Sequence, residues 1–401
     1  MQPAIFDSGD RTSTMPKAHQ ESSFAFFNRI QGDFWAAVRI RMQMWANEVP
    51  EEDYADFRGR LRSGDDYQFN SVYLELYLHE SLRRAGYAIT VHPSTPSGRK
   101  PDFYASRADG SFYLEAIAPA PSPAAKAKAA RLARLYDVID KTGDPGWGLW
   151  LENIEAADTT PSGAKLRSAI RAWLRTLDTA QHTDIRERPR LEWEGNGWEI
   201  ALTAFPRNAE GRRSKIERSI GVYPAIGGFI DDSSPIKQAL GRKDQAYGDL
   251  QKPLMIAVGV YQFDRDRWGT ANALWGHEAF ELLTNDPTAP GRPVRQPDGY
   301  FGTPDAWRHT NISGVLVVNQ LQPTHFSSAD VSLWLHPAPT APLPASIGWP
   351  VDLVTLTTDG ITTHQPSVSP SQFFELPDVW PPGEAFPEDI AATQSEGGPS
   401  S

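Results

Sequence analysis

The 401-residue sequence contains no cysteine. Disulfides, thiolate metal sites and cysteine nucleophiles are therefore excluded, and nothing points to an oxidising compartment. There is also no uninterrupted apolar run near the roughly 20 residues that cross a bilayer. The first 23 residues lack the basic start and apolar stretch of a secretory signal, so the chain reads as soluble and cytoplasmic. No Walker A loop, Gly-x-Gly-x-x-Gly fingerprint or Gly-x-Ser-x-Gly elbow occurs, and no internal repeat. His277, in WGHEAFE, has no second histidine four residues on, which excludes a zinc-protease helix.

Proline and glycine are plentiful, at 34 and 31 residues, so much of the chain is loop. An apolar share of 40 % is enough for a real core. The net charge of −11 argues against a nucleic-acid partner, but the charge is unevenly spread. From Glu375 onward there are six acids and no base. Bases gather at Lys126, Lys128, Arg131 and Arg134, at Arg186, Arg188 and Arg190, and at Arg207, Arg212, Arg213, Lys215 and Arg218. Those groups form either a phosphate-attracting surface or an ordinary solvated one.

Residues 1–23 are polar and read as disordered. Helical spacing predicts a helix over 24–46, a second over 50–62, and a third over 69–86 that ends at Gly86. The period then changes. Residues 87–92, 101–106 and 111–118 read as strands, the last two joined by an Asp-Gly turn. A helix over 122–141, a strand over 147–154, a helix over 162–178 and a hairpin over 191–206 follow. Trp147, Trp150, Trp193 and Trp198 read as core, with stacking on bases the alternative for some of them. A helix over 235–249 leads to a strand over 253–261 with few polar residues, suited to burial on both faces. Residues 284–309 read as loop, and 312–320 and 331–337 as the last strands. The expected organisation is one elaborated α/β domain over 24–345: a helical extension to 65, a core over 66–265 and added strands beyond it. An acidic, Pro-rich tail over 346–401 is expected to be irregular or disordered.

Three acids stand out. Side chains alternate along a strand, so Lys100, Asp102 and Tyr104 share one face, as do Tyr113, Glu115 and Ile117 on the next strand. If the two strands pair, Asp102 and Glu115 converge. Two carboxylates on one sheet face repel each other and lose hydration, and a Mg²⁺ or Mn²⁺ between them removes both costs. Glu75 lies on a helical stripe with Leu78, His79 and Leu82, where an ionised carboxylate needs a partner. The same cation is one candidate and a base such as Arg83 or Arg84 another. His79 is either a packed histidine or a ligand.

At these residues the sequence resembles the PD-(D/E)xK nuclease superfamily, in the helix with Glu75, the Pro101-Asp102 strand, and the Glu115 strand with its following helix. It is also similar to a group of actinobacterial-type proteins built around ELYLHE, HP, PDF and YLEA. The resemblance implies a restriction-endonuclease-like mixed sheet flanked by helices. It further implies hydrolysis of phosphodiester bonds in DNA, with Glu75, Asp102 and Glu115 holding Mg²⁺ or Mn²⁺.

The family pattern expects a lysine two residues after Glu115, and Ile117 stands there. Ile cannot orient an attacking water. The role is relocated, to Lys243 on the stripe Ile236, Leu240, Lys243 and Tyr247, to Lys100, or to Lys126 or Lys128; otherwise it is lost. Gln245 and Tyr247 are similar to a Gln-and-Tyr helix of some members, at a different spacing. The expected function is a metal-dependent endonuclease. The alternative is a catalytically inactive, nuclease-like protein that binds nucleic acid or a partner protein.

Overall fold

The computed structural model describes residues 2–387 apart from 143, 145, 180–187, 208–219, 223–232, 242–246, 249, 263, 265, 282–291 and 359. Four helices come first: α1 (Ser23–Arg29), α2 (Asp33–Asn47), α3 (Glu51–Leu61) and α4 (Asp66–Arg84). The expected helix over 24–46 is broken in two. Ile30 is extended and Gly32 has φ +104°, a conformation few residues other than glycine adopt. Helix α4 starts where the Asp65 carboxylate accepts from Tyr67 N–H. It stops at Gly86, whose left-handed φ of +82° lets Tyr87 N–H reach back to the Leu82 carbonyl.

Strands β1 (Ala88–Val91), β2 (Phe103–Arg107) and β3 (Gly110–Ile117) form an antiparallel meander. The chain then leaves the sheet for an inserted unit. It comprises α5 (Pro123–Asp140), β4 (Trp147–Glu155), α6 (Gly163–Leu174), β5 (Arg190–Gly195), β6 (Trp198–Pro206) and β7 (Ile220–Val222). Its four strands run in the order β5-β6-β4-β7. It has its own apolar cluster, in which Leu135 and Ile139 of α5 and Leu166 and Ile170 of α6 meet Leu149, Trp198 and Leu202. The reading of 66–265 as one core is corrected accordingly. Trp147 and Trp198 are buried in that cluster and Trp193 packs against it. Trp150 lies under the Arg188 guanidinium, which also covers Phe205.

Helix α7 (Ser233–Gly241) returns the chain to the main sheet as β8 (Leu254–Val260), parallel to β3. After α8 (Trp268–Trp275) come two short hairpins, β9 (Glu278–Glu281) with β10 (Arg292–Arg295) and β11 (Gly302–Thr303) with β12 (Ala306–Trp307). Residues 292–295, 302–303 and 306–307 are thus strand where loop is expected. The sheet is completed by β13 (Gly314–Asn319), β14 (Asp330–Leu335), β15 (Asp352–Thr357) and β16 (Gly360–His364). Its order is β1-β2-β3-β8-β13-β14-β15-β16.

The two faces of this sheet carry different clusters. Helices α1–α4 cover one, against Phe103, Phe112, Leu114, Met255 and Leu316. On the other, α7, α8 and Tyr247 pack on Ile256, Val258 and Val317, with Tyr113 and Ile117 at the margin.

Both ends of the chain differ from expectation. Residues 2–23 are built in: Ile5 and Phe6 are buried, and Ile5 N–H donates to the Gln43 side chain. A polar segment with two well-placed apolar anchors folds onto a core that already exists. Residues 346–387 supply β15, β16, a short helix α9 (Pro370–Phe373), and the fully buried Phe374. Trp35 Nε1–H donates to the Ala385 carbonyl. Residues 388–401 lie outside the described residues. Among the described residues no helix is long and apolar enough to cross a membrane.

Candidate functional site

Leu114 belongs to the cluster under α4, so alternation turns Tyr113, Glu115 and Ile117 toward the opposite face. Phe103 likewise joins the α4 side, and Asp102 precedes it at the mouth of β2. The Asp102 carboxylate bends across to β3 and accepts the Ala116 N–H at 2.7 Å. That bond sets it beside the backbone of Glu115. The Glu115 side chain is buried, at 2 % exposure. The buried phenol of Tyr247 hydrogen-bonds the Glu115 carboxylate. Burial, the charge and hydrogen bond of Glu115, and the charge of Asp102 all push that phenol well above its ordinary value, with Arg99 pulling the other way. Asp102, Glu115 and Tyr247 thus meet at the C-terminal end of β3, on the face away from α4.

Glu75 is not brought to them. It lies on α4, across the sheet, and α3 reaches over to take it. Both of its oxygens accept from Arg60, Oε1 from Nη1 and Oε2 from Nη2, each at 2.7 Å. Arg60 also bonds Asp56. Burial works against the guanidinium charge, but Glu75 and Asp56 outweigh it and raise Arg60 above its usual value. The expected third metal ligand is corrected on that ground: its charge is already matched by a planar two-pronged donor. Among the described residues no group of three or more His, Cys, Asp or Glu could hold a metal ion.

His79 is buried against Phe103, and its Nδ1 has no hydrogen-bond partner among the described residues. Burial pulls it down to about 4, so it is a packed neutral histidine. Ile117 packs at the margin of the second cluster beside β8. Lys243 lies outside the described residues. Lys100 is exposed just ahead of β2, beside the exposed Arg99. Lys126 pairs with Asp65 and sits over the Tyr67 ring. Among the other expected bases, Arg131 pairs with Asp158, and Arg190 with Glu152 and Glu192. Arg186, Arg212, Arg213, Lys215 and Arg218 lie outside the described residues.

Two carboxylates fit a Mg²⁺ ion, which prefers one or two protein carboxylates and takes its remaining ligands from water and substrate phosphate. They do not form an all-protein cage. Sequence reasoning placed Tyr247 on an apolar stripe without assigning it to Glu115. The available signal was a phenol among apolar residues, which needs an acceptor when buried. Arg60 carried a weaker signal, being one of several arginines near α4. Comparison with family models, curated proteins and solved structures yields no match.

Proposed function

We propose that this protein is a metal-dependent nuclease of restriction-endonuclease-like fold, hydrolysing phosphodiester bonds in DNA. The observation that carries the reading is the meeting of Asp102 and Glu115 on one sheet face around Tyr247. Its support in the fold is the order of helix α4, strand β1, the Pro101-Asp102 strand, a tight turn, the Glu115 strand and helix α5.

Asp102 and Glu115 would hold Mg²⁺ or Mn²⁺, and the ion supplies an activated water and charge neutralisation at the phosphate. The chain's own part is positional. The Ala116 N–H fixes one Asp102 oxygen. Tyr247 fixes the Glu115 carboxylate by donating to it. A ligand oriented by such an outer partner binds its ion more tightly. Ile117 contributes no proton or charge, so orienting the water falls to a residue elsewhere in the chain.

A second reading has one observation in its favour. Ile117 is packed among apolar residues where the family pattern has a lysine, which suits an inactive relative that binds nucleic acid. The deciding experiment is cleavage of supercoiled plasmid in Mg²⁺ or Mn²⁺ by the wild type, Asp102→Ala and Glu115→Gln. Cutting by the wild type that both substitutions abolish supports the enzyme. Intact DNA under both metals, with DNA still bound, supports the second reading.

A further inference from the structure

We propose that Arg99 and Lys100 form a clamp for a backbone phosphate of the substrate strand, next to the one held at Asp102 and Glu115. This inference rests on the nuclease reading and adds to it the group that grips the polyanion.

The loop carrying the two cations is built to hold its shape. His92 N–H donates to the Asp102 carbonyl at 2.9 Å, closing the loop at its base. Inside it the Thr95 hydroxyl, 9 % exposed as a residue, donates to the Arg99 carbonyl. The same hydroxyl lies 3.1 Å from Ser97 Oγ, and Gly98 N–H donates to the Thr95 carbonyl at 2.9 Å. Gly98 takes a left-handed φ of +77°. Gly248, one residue past Tyr247, borders the loop at Ser97. The loop is therefore docked on the same segment that supplies the phenol to Glu115.

Charge makes the loop unusual. Several arginines elsewhere in the fold are matched: Arg60 by Glu75, Arg84 by Glu80, Arg107 by Asp109, and Arg267 by Asp330 and Asp352. Arg99 and Lys100 are exposed, and neither makes an ion pair among the described residues. Two open cations beside two carboxylates leave a gradient across a short distance. An ion held by only two carboxylates relies on substrate phosphate for further ligands, and that phosphate strand must itself be positioned. Lys100 and Asp102 are two residues apart, about 6–7 Å of extended chain, or roughly two nucleotide rises along one strand.

The test is fluorescence anisotropy of a labelled DNA duplex with the full chain in Ca²⁺, over a salt series. It compares the wild type with Arg99→Gln, Lys100→Gln and the double variant, with thermal melting to check the fold. Each lost phosphate contact should lower the salt slope by about 1, so the double variant should lose about 2 and bind at least tenfold more weakly. Two results overturn the clamp. In one, folded double variant keeps the wild-type affinity and slope while Asp102→Ala still abolishes cleavage, so the nuclease reading stands without the clamp. In the other, the folded wild type binds no duplex. Cleavage lost in Asp102→Ala is read separately and decides the metal site alone.

Discussion

Glu75 and Glu115 are both buried acids flanked by apolar residues, and they differ in what meets them. Glu75 is held by both prongs of Arg60, whereas Glu115 is met by a phenol and has Asp102 nearby. Removing one member of a buried ion pair leaves the other charge uncompensated, at a cost of about 3–5 kcal/mol. Glu75→Gln should therefore lower stability by about 3 kcal/mol in urea unfolding and leave cleavage by the folded protein intact. Tyr247→Phe should behave in the opposite way. Loss of one hydrogen bond costs about 1 kcal/mol of stability, while on the proposed reading, in which the phenol orients a metal ligand, Mn²⁺ affinity should fall by about tenfold. Calorimetric titration reads that change directly.

The buried histidines give a pH dependence. Burial depresses His79 to about 4 and also lowers His336, whose Nε2 donates to the Arg308 carbonyl while Nδ1 accepts from Ala338 N–H. Both are neutral in the fold, and the unfolded chain takes up their protons below about pH 6.5. Their contribution to stability is complete above that value and is lost as pH falls, in the case of His79 toward about 4. His79 alone should account for up to about 3 kcal/mol of the loss. His79→Leu should flatten the urea midpoint between about pH 6.5 and pH 4. An unchanged slope would mean that His79 titrates normally in the fold.

Among the elements, the antiparallel meander and its neighbours were legible because their signals are local. Alternation marked β2 and β3, Asp109-Gly110 marked their turn, and Gly86 marked the end of α4. The partner of Glu75 was not legible, since Arg60 lies on a different helix and nothing local pairs them. The inserted unit is legible element by element but not as a body, because a separate core is a property of contacts and not of periodicity. The N-terminal segment reads as disordered in the sequence because its anchors are few and its bonds are distant. Asp137 of α5 is a clear case. Its carboxylate accepts His19 N–H at 2.7 Å, Gln20 N–H at 3.1 Å and the Gln20 side-chain amide at 2.9 Å. Lys17 and Ser23 N–H both bond Asp66 at the start of α4. Residues 17–23 thus strap the inserted unit to the first turn of α4. Asp137→Ala should cost about 2–3 kcal/mol through the lost charge-assisted bonds, and hydrogen exchange at residues 19 and 20 should quicken. Protection at those amides equal to that of the wild type would contradict the strap.

For the molecule as a whole, the net charge of −11 is reconciled with a DNA substrate only if positive potential is concentrated where the strand passes. The pairing of Lys126, Arg131 and Arg190 with acids removes several candidate contacts, and the proposed clamp assigns the contact next to Asp102 to Arg99 and Lys100. The central claim is that Asp102 and Glu115, without Glu75, hold one divalent ion on the face of the sheet away from α4. The most direct measurement is calorimetric titration of Mn²⁺ into the wild type, Asp102→Ala, Glu115→Gln and Glu75→Gln. The expected result is one ion per chain in the wild type and in folded Glu75→Gln, and none in the other two. Absence of binding by the folded wild type, or binding that survives in both Asp102→Ala and Glu115→Gln, would contradict the claim.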